Sequence, residues 1–258
     1  MLRSMYSGVS GMKNFQTKLD VIGNNISNVN TIGYKKSTIN FQDLLSQNIS
    51  GKGANPMQVG LGSASASINV NHNIGSGMTT GVGTDLAIMG DGFFVVKEPG
   101  ANVDKQFLTR SGNFTVAANG NLVTAQGYNV LNSNGQPINV TNYDSFSINR
   151  SGQVIGMQAD GTEVPGDYVG IFTPANLEGL SKVGGSLYEM TGNAGAAITP
   201  GTATANKTEI SSGMLEMSNV DLTEEFTEMI IAQRGFQANS RTITTSDEVL
   251  QEVINLKR

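Results

Sequence analysis

From Leu222 to Ile254 apolar residues recur at spacings of three and four, and that frame restricts the fold more than any other feature of the chain. Leu222, Phe226, Met229, Phe236, Ile243, Leu250 and Ile254 hold it, with Gln233, Ser240 and Asp247 at the remaining positions. A sustained repeat of this kind belongs to a helix packed along one stripe, as in a coiled coil. Asp221 and Glu224 have capping-box spacing at its start. Glu225 and Glu228 follow where the helix dipole is positive, and Lys257 and Arg258 lie where it is negative. The spacing predicts one helix from about Leu222 to Leu256, which at 1.5 Å per residue runs to about 50 Å and exceeds the ordinary globular range.

A second seam opens the chain. Leu2, Met5, Val9, Met12, Phe15, Leu19, Ile22, Ile26 and Val29 keep helical spacing, with one stammer between Met12 and Phe15. Gly8, Gly11 and Gly23 lie inside it and cost roughly 1 kcal/mol each relative to alanine. Gly33 is placed to end the helix in a left-handed cap. So interrupted a helix is marginal alone, and the two ends are expected to pair. Residues 1–45 carry five basic and two acidic groups and residues 215–258 four basic and eight acidic, although exposed ion pairs contribute only about 0–1 kcal/mol each. Two such helices hide only part of an apolar face. Leu2, Met5, Val9, Met12, Leu19, Ile22, Ile26 and Val29, with Leu222, Phe226, Met229, Phe236, Ile243, Leu250 and Ile254, are therefore read as a self-assembly seam that meets other copies of the chain.

Between the ends the period changes to two. Leu86 to Met89, Phe93 to Val96, Phe107 to Thr109, Asn113 to Val116, Leu122 to Thr124, Tyr128 to Leu131 and Phe146 to Ile148 are short β-type runs. Asp91-Gly92, Asn119-Gly120, Asn134-Gly135, Ser151-Gly152 and Asp160-Gly161 punctuate them with the positive φ that tight hairpins need. An all-β domain, barrel-like or sandwich-like, is expected over 85–212. Residues 46–84 are rich in Gly, Ser and Asn and read as a linker with irregular extended structure. Gly51, Gly53, Gly60 and Gly62, with Pro56 alone against them, make that connection intrinsically flexible, as a bending joint requires. The expected fold is α+β and discontinuous: N- and C-terminal coiled-coil-type helices (1–45 and 213–258) in one layer, and a separate central β domain.

Composition removes most chemistry. Cysteine is absent, so disulfides, thiolate metal sites and a cysteine nucleophile are excluded. His72 is the sole histidine, which forbids a two-histidine metal site, and in its Asn-rich stretch it reads as a solvated loop residue. Sixteen Lys and Arg against 21 Asp and Glu, a net charge of -5, argue against nucleic acid or an anionic membrane as partner. No stretch approaches membrane-spanning length. Asp85, Asp91 and Asp160 sit at turns and Glu224 and Glu225 at a helix start, so no glycosidase pair is assigned. Gly90-Asp91-Gly92 has no following helix and no Lys-Ser/Thr, and reads as a hairpin turn rather than a phosphate loop. No catalytic, cofactor-binding or metal-ligating residue is predicted. A β-rich surface adhesin is the alternative of another class, yet the chain has no tryptophan and only 6% aromatics from which to build a glycan-binding face.

Met1 to Lys36 resembles the N-terminal signature of bacterial flagellar axial proteins, through Asp20-Val21-Ile22-Gly23-Asn24-Asn25-Ile26-Ser27-Asn28-Val29-Asn30-Thr31 and Gly33-Tyr34-Lys35. Ser218 to Arg241 is similar to the family's C-terminal signature. Asp85 to Ile88 with Gly90 to Phe94, and Thr109 to Phe114, resemble its β-domain motifs. The resemblance implies an exported structural subunit of the flagellum, outside the cytoplasmic membrane, that needs no cofactor and transmits torque in a helical tube of its own copies. Paired terminal helices would line the tube, with the β domain outside them. Its partners would be the other axial proteins (rod, hook–filament junction, cap) and the export apparatus, with no nucleic acid and no membrane insertion. The hook is the first expectation and the distal rod the alternative.

Overall fold

The computed structural model describes residues 2–49, 57–100, 105–158, 160–195 and 197–256. The side chain of Leu2, the linker residues 50–56 with Gly51, Gly53 and Pro56, and Lys257 and Arg258 lie outside the described residues. The fold is α+β and the chain divides into two compact units: residues 1–28, 36–71 and 220–258 form one, and 29–35 and 72–219 the other. Among the described residues no helix is long and apolar enough to cross a membrane.

The first unit is built on α1 (Leu2–Ser27) and α2 (Leu222–Asn255). Asp221 caps α2, its carboxylate accepting from the N–H groups of Thr223 at 2.8 Å and Glu224 at 3.4 Å. Those two N–H donors hold the Asp221 carboxyl below the usual carboxylate range. Glu224 does not reach back to close the box. Its carboxylate pairs with Lys36 at 2.7 Å. Gly33 is not the cap of α1 either: the helix ends at Ser27, six residues earlier. Gly33 does have φ +67°, but a Cβ there would lie 2.7 Å from the Arg110 carbonyl carbon and the Ser111 nitrogen, so a close backbone approach explains it.

The helices run antiparallel, since Gly8 lies against Ile243, Phe15 against Gly235 and Asn25 against Glu225. The glycines that weaken α1 locally let α2 approach. A Cβ on Gly11 would lie 2.9 Å from Asn239 Nδ2, and one on Gly235 would lie 2.5 Å from Phe15 Cζ. Beside the pair lies a two-stranded ribbon of β1 (Ser37–Asp43) and β4 (Ser63–Val70), with β2 (Ser46–Ile49) paired to β3 (Met57–Gly60). Much of the span read as irregular linker is therefore regular strand, because cross-strand hydrogen bonds remove freedom that composition alone suggests. Asn14 Nδ2 donates to Ser63 Oγ at 2.8 Å, and the Phe15 and Phe41 rings stand 6.3 Å apart.

The second unit begins with β5 (Gly77–Thr79), β6 (Leu86–Met89), β7 (Phe93–Lys97), β8 (Gln106–Thr109), β9 (Phe114–Val116), β10 (Leu122–Thr124) and β11 (Asn129–Val130). It continues with β12 (Ser145–Ile148), β13 (Gln153–Met157), β14 (Glu163–Tyr168), β15 (Ile171–Phe172), β16 (Leu180–Gly184), β17 (Leu187–Met190), β18 (Glu209–Ser212) and β19 (Met214–Glu216). The main sheet follows the order β16-β17-β8-β7-β11-β10-β9, with β15 also on β7. The path is open, so the sheet is not a closed barrel. Phe94 and Val96 enter one core with Leu86, Phe114 and Leu122, while Phe93 and Val95 enter a second with Leu108, Leu131 and Tyr188. A strand buried on both faces reads as a continuous apolar run, which is why Phe93 to Val96 shows no alternation.

Each of the five turn glycines has positive φ, from +73° at Gly161 to +140° at Gly92. Gly120, Gly152 and Gly161 close hairpins between β9 and β10, β12 and β13, and β13 and β14, and Gly135 closes a short turn bridged by Leu131 and Pro137. Gly90-Asp91-Gly92 is instead a corner, because β6 pairs with β18 while β7 belongs to the main sheet.

Gly23 has no atom within 4 Å of an added Cβ. In the full chain Gly23→Ala is expected to stabilise the helix pair by about 1 kcal/mol through propensity. Gly235→Ala is expected to destabilise it by about 1–3 kcal/mol despite the same propensity gain, through overpacking against Phe15. Far-UV circular dichroism melts check both, and equal stabilisation would refute the close approach.

Candidate functional site

The face of α2 turned to α1 is not the whole predicted seam. Only Glu225 and Ala232 are fully buried among the described residues of α2. Met229, Ile243 and Leu250 are half-buried, whereas Leu222, Phe226, Phe236 and Ile254 remain exposed. On α1, Ile22 is buried and Met5, Met12, Leu19 and Ile26 are half-buried, while Val9 is exposed. Val29, also half-buried, belongs to the second unit. Sequence reasoning missed Asn25, Glu225, Ala232, Gly235 and Asn239 as the contacts that join the helices, since none of them is a large apolar residue. The signal available was the seven-residue interval between Glu225, Ala232 and Asn239.

Turned away from the pair, α2 carries a further apolar surface. Leu222, Phe226, Ile230, Ile231, Phe236, Val249, Val253 and Ile254 are 37–66% exposed. Phe226 is half exposed on a helix whose other stripe is already packed. The rim is ionic: Lys18 pairs with Glu228, and Lys36 lies 2.7 Å from Glu224 and 3.8 Å from Glu225.

In the second unit the residues of the N-terminal signature have a different task. Lys35 is fully buried, and its Nζ donates to Glu216 Oε1 at 2.5 Å and to the Asn73 carbonyl at 2.7 Å. Arg110, 2% exposed, donates to Glu216 Oε2 at 3.1 Å and to the Gly90 carbonyl at 2.8 Å. The Gly75 N–H reaches Glu216 Oε1 at 3.0 Å, and the Gly33 N–H donates to the Glu216 carbonyl at 2.8 Å. Segments around residues 33–35, 73–75, 110 and 216 thus meet at one carboxylate. Burial pushes the Lys35 ammonium below its ordinary value, and Glu216 opposes that shift.

His72 is not a solvated loop residue. Its ring packs 5.8 Å from Phe93 and 5.9 Å from Tyr188, centroid to centroid, and its Nδ1 has no hydrogen-bond partner among the described residues. Burial, then the neighbouring Lys35, Arg110 and Lys182 cations, push its pKa down to about 4. The imidazole is therefore neutral at physiological pH.

Comparison with known proteins follows this division of labour. A family model for the flagella basal body rod protein matches residues 5–35, which are α1 and the segment bearing Lys35. One for the flagellar hook protein FlgE/F/G D1 domain matches 87–156, and one for the flagellar basal body rod FlgEFG protein C-terminal matches 211–256. The flagellar basal-body rod protein FlgG of Bacillus subtilis (strain 168) is 53% identical over all of both chains. The chain belongs to the flagellar rod and hook protein family. FlgG of Borreliella burgdorferi is 35% identical and the flagellar hook protein FlgE of the same organism 28% identical, each over all of both chains. As a rod and hook family protein, the chain is a component of the flagellum, outside the cytoplasmic membrane.

Two outcomes follow from the second unit. Glu216→Ala leaves Lys35 and Arg110 buried without their shared partner and is expected to destabilise that unit by about 3–5 kcal/mol. Glu189→Ala, at the exposed pair with Lys105 in the same unit, is expected to cost less than about 1 kcal/mol. Hydrogen exchange of β7 and β8 amides in the full chain compares them. Because the folded pKa of His72 lies below its unfolded value, its contribution is fully present above about pH 6.5 and is lost as pH falls toward 4. Thermal melts of wild type and His72→Leu should therefore differ in slope within that window and run parallel above it.

Proposed function

We propose that this chain is a distal-rod-type subunit that self-assembles into the axial tube of the flagellum and transmits torque as a structural element, without catalysis of its own. The observation that carries the reading is the 53% identity to a basal-body rod protein across 270 aligned positions, with both chains covered completely. The hook relative needs 445 positions to align with these 258 residues, and so opens long gaps against this chain. That ordering reverses the sequence expectation, in which the hook came first on the flexibility of residues 46–84. The β1–β4 and β2–β3 pairings supply the physical reason, since paired strands do not behave as a Gly/Ser tether.

In this reading the terminal helices (1–45 and 213–258) form the inner layer, the β domain over 85–212 stands outside, and the intervening 46–84 connects them. The proposed seam comprises the exposed residues Leu222, Phe226, Phe236, Ile254 and Val9, with the half-buried apolar residues beside them. A tube arises from heterologous contacts that do not close, so this surface must fit a different surface on the next copy. The neighbouring axial proteins and the export apparatus are its further partners.

Phe226→Asp or Phe236→Asp is expected to leave the subunit folded, because both side chains are exposed within it, and to block polymerisation through a buried unpaired charge. Immunogold labelling of isolated hook–basal bodies locates the protein. Label on the straight segment at the motor side supports the rod, label along the curved hook overturns it in favour of the hook, and wild-type tubes from both variants would remove these residues from the seam.

A further inference from the structure

We propose that Asn25 and Glu225 fix the register in which the two terminal helices pair. Asn25, 1% exposed, donates from Nδ2 to Glu225 Oε2 at 3.1 Å and to the Ser37 carbonyl at 2.9 Å, and its Oδ1 accepts from the Ser37 N–H at 3.0 Å. The two bonds to Ser37 tie the Asn25 amide to the start of β1, making it a stationary mark on the surface of α1. Glu225, 4% exposed, is the group on α2 that answers it.

The apolar pattern alone does not choose a register. A heptad frame tolerates a slip of seven residues, since Leu250 then takes the place of Ile243 and the position stays aliphatic. The two fully buried side chains of α2, Glu225 and Ala232, are themselves seven residues apart. A one-heptad slip therefore sets a methyl group where the carboxylate accepts from Asn25, and the buried amide loses that bond. The packing of Phe15 on Gly235 opposes the same slip sterically, since Thr242 would bring a Cβ to about 2.5 Å from Phe15 Cζ, and the polar pair adds a hydrogen bond that only the native alignment makes. A buried polar pair that contributes little net stability yet singles out one alignment is the best-attested use of such groups. Register matters here because sliding α2 along α1 displaces Phe226 and Phe236 relative to α1, and with them the surface offered to the next copy. The inference rests on the helix pair and holds for rod and hook alike.

Zero-length carbodiimide cross-linking of the full chain, read by mass spectrometry, reports the register through Lys18 and Glu228, which pair in the native alignment. Wild type is expected to give the Lys18–Glu228 link. Glu225→Gln, whose side-chain oxygen still accepts from Asn25, is expected to retain it. The double variant Asn25→Leu/Glu225→Leu is expected to keep wild-type helicity by circular dichroism and to lose at least half of the Lys18–Glu228 link, because a slip that seats Ala232 against residue 25 brings Gly235, which has no carboxylate, to Lys18. Undiminished Lys18–Glu228 linking in the double variant overturns the proposal. Loss of helicity there also overturns it, because the pair would then supply stability and not register, and loss of the link in Glu225→Gln does the same.

Discussion

One carboxylate sets the arrangement of the second unit. Glu216 receives the Lys35 ammonium, the Arg110 guanidinium and the Gly75 N–H, and each comes from a different stretch of chain. Two cations and an anion withdrawn from water are expensive unless their hydrogen-bonding groups are used, and the carbonyls of Asn73 and Gly90 take further donors, while the Arg110 Nε is left without a partner among the described residues. The cluster also accounts for neighbours that are puzzling in isolation. Arg110 lies over the Phe93 ring at 5.3 Å, and Lys182 over Tyr34 at 4.8 Å. His72 stays neutral because it is buried beside these same cations.

The first unit works by a different rule, that of close approach. α1 gives up local stability at Gly8 and Gly11, and α2 at Gly235, each roughly 1 kcal/mol of propensity. The distance thereby saved lets small residues on one helix meet larger ones on the other. Because the stripe between the helices is made of small and polar residues, the large apolar side chains of α2 are not consumed inside the subunit. They remain exposed on its surface. A single helix thus carries two stripes, one packed within its own chain and one exposed, and the exposed one is the surface proposed above for the next copy.

Residues 46–84 carry more regular strand than their composition suggests. Four glycines and one proline between Ser46 and Gly62 describe a soft tether when each residue is counted alone. Pairing of Ser37–Asp43 with Ser63–Val70 makes a ribbon held by cross-strand hydrogen bonds, with Phe41 of that ribbon beside Phe15. Family membership was legible from motifs, whereas whole-chain identity and alignment gaps against relatives are quantities that a single sequence does not display.

By itself the sequence determined the long C-terminal helix to within a residue, its Asp221 cap, the short strands and the hairpin glycines, because these depend on local spacing, capping and φ preferences. It also carried the motifs of the flagellar family. Tertiary structure alone decided which stripe of α2 faces α1, why Gly33 has positive φ, what Lys35 and Arg110 hold, and that the sheet stays open. Those features depend on residues more than a hundred positions apart, such as Asn25 with Glu225 and Lys35 with Glu216. Neither half of such a buried polar pair names the other in the chain, since the two look locally like a solvated asparagine and a helix-start glutamate.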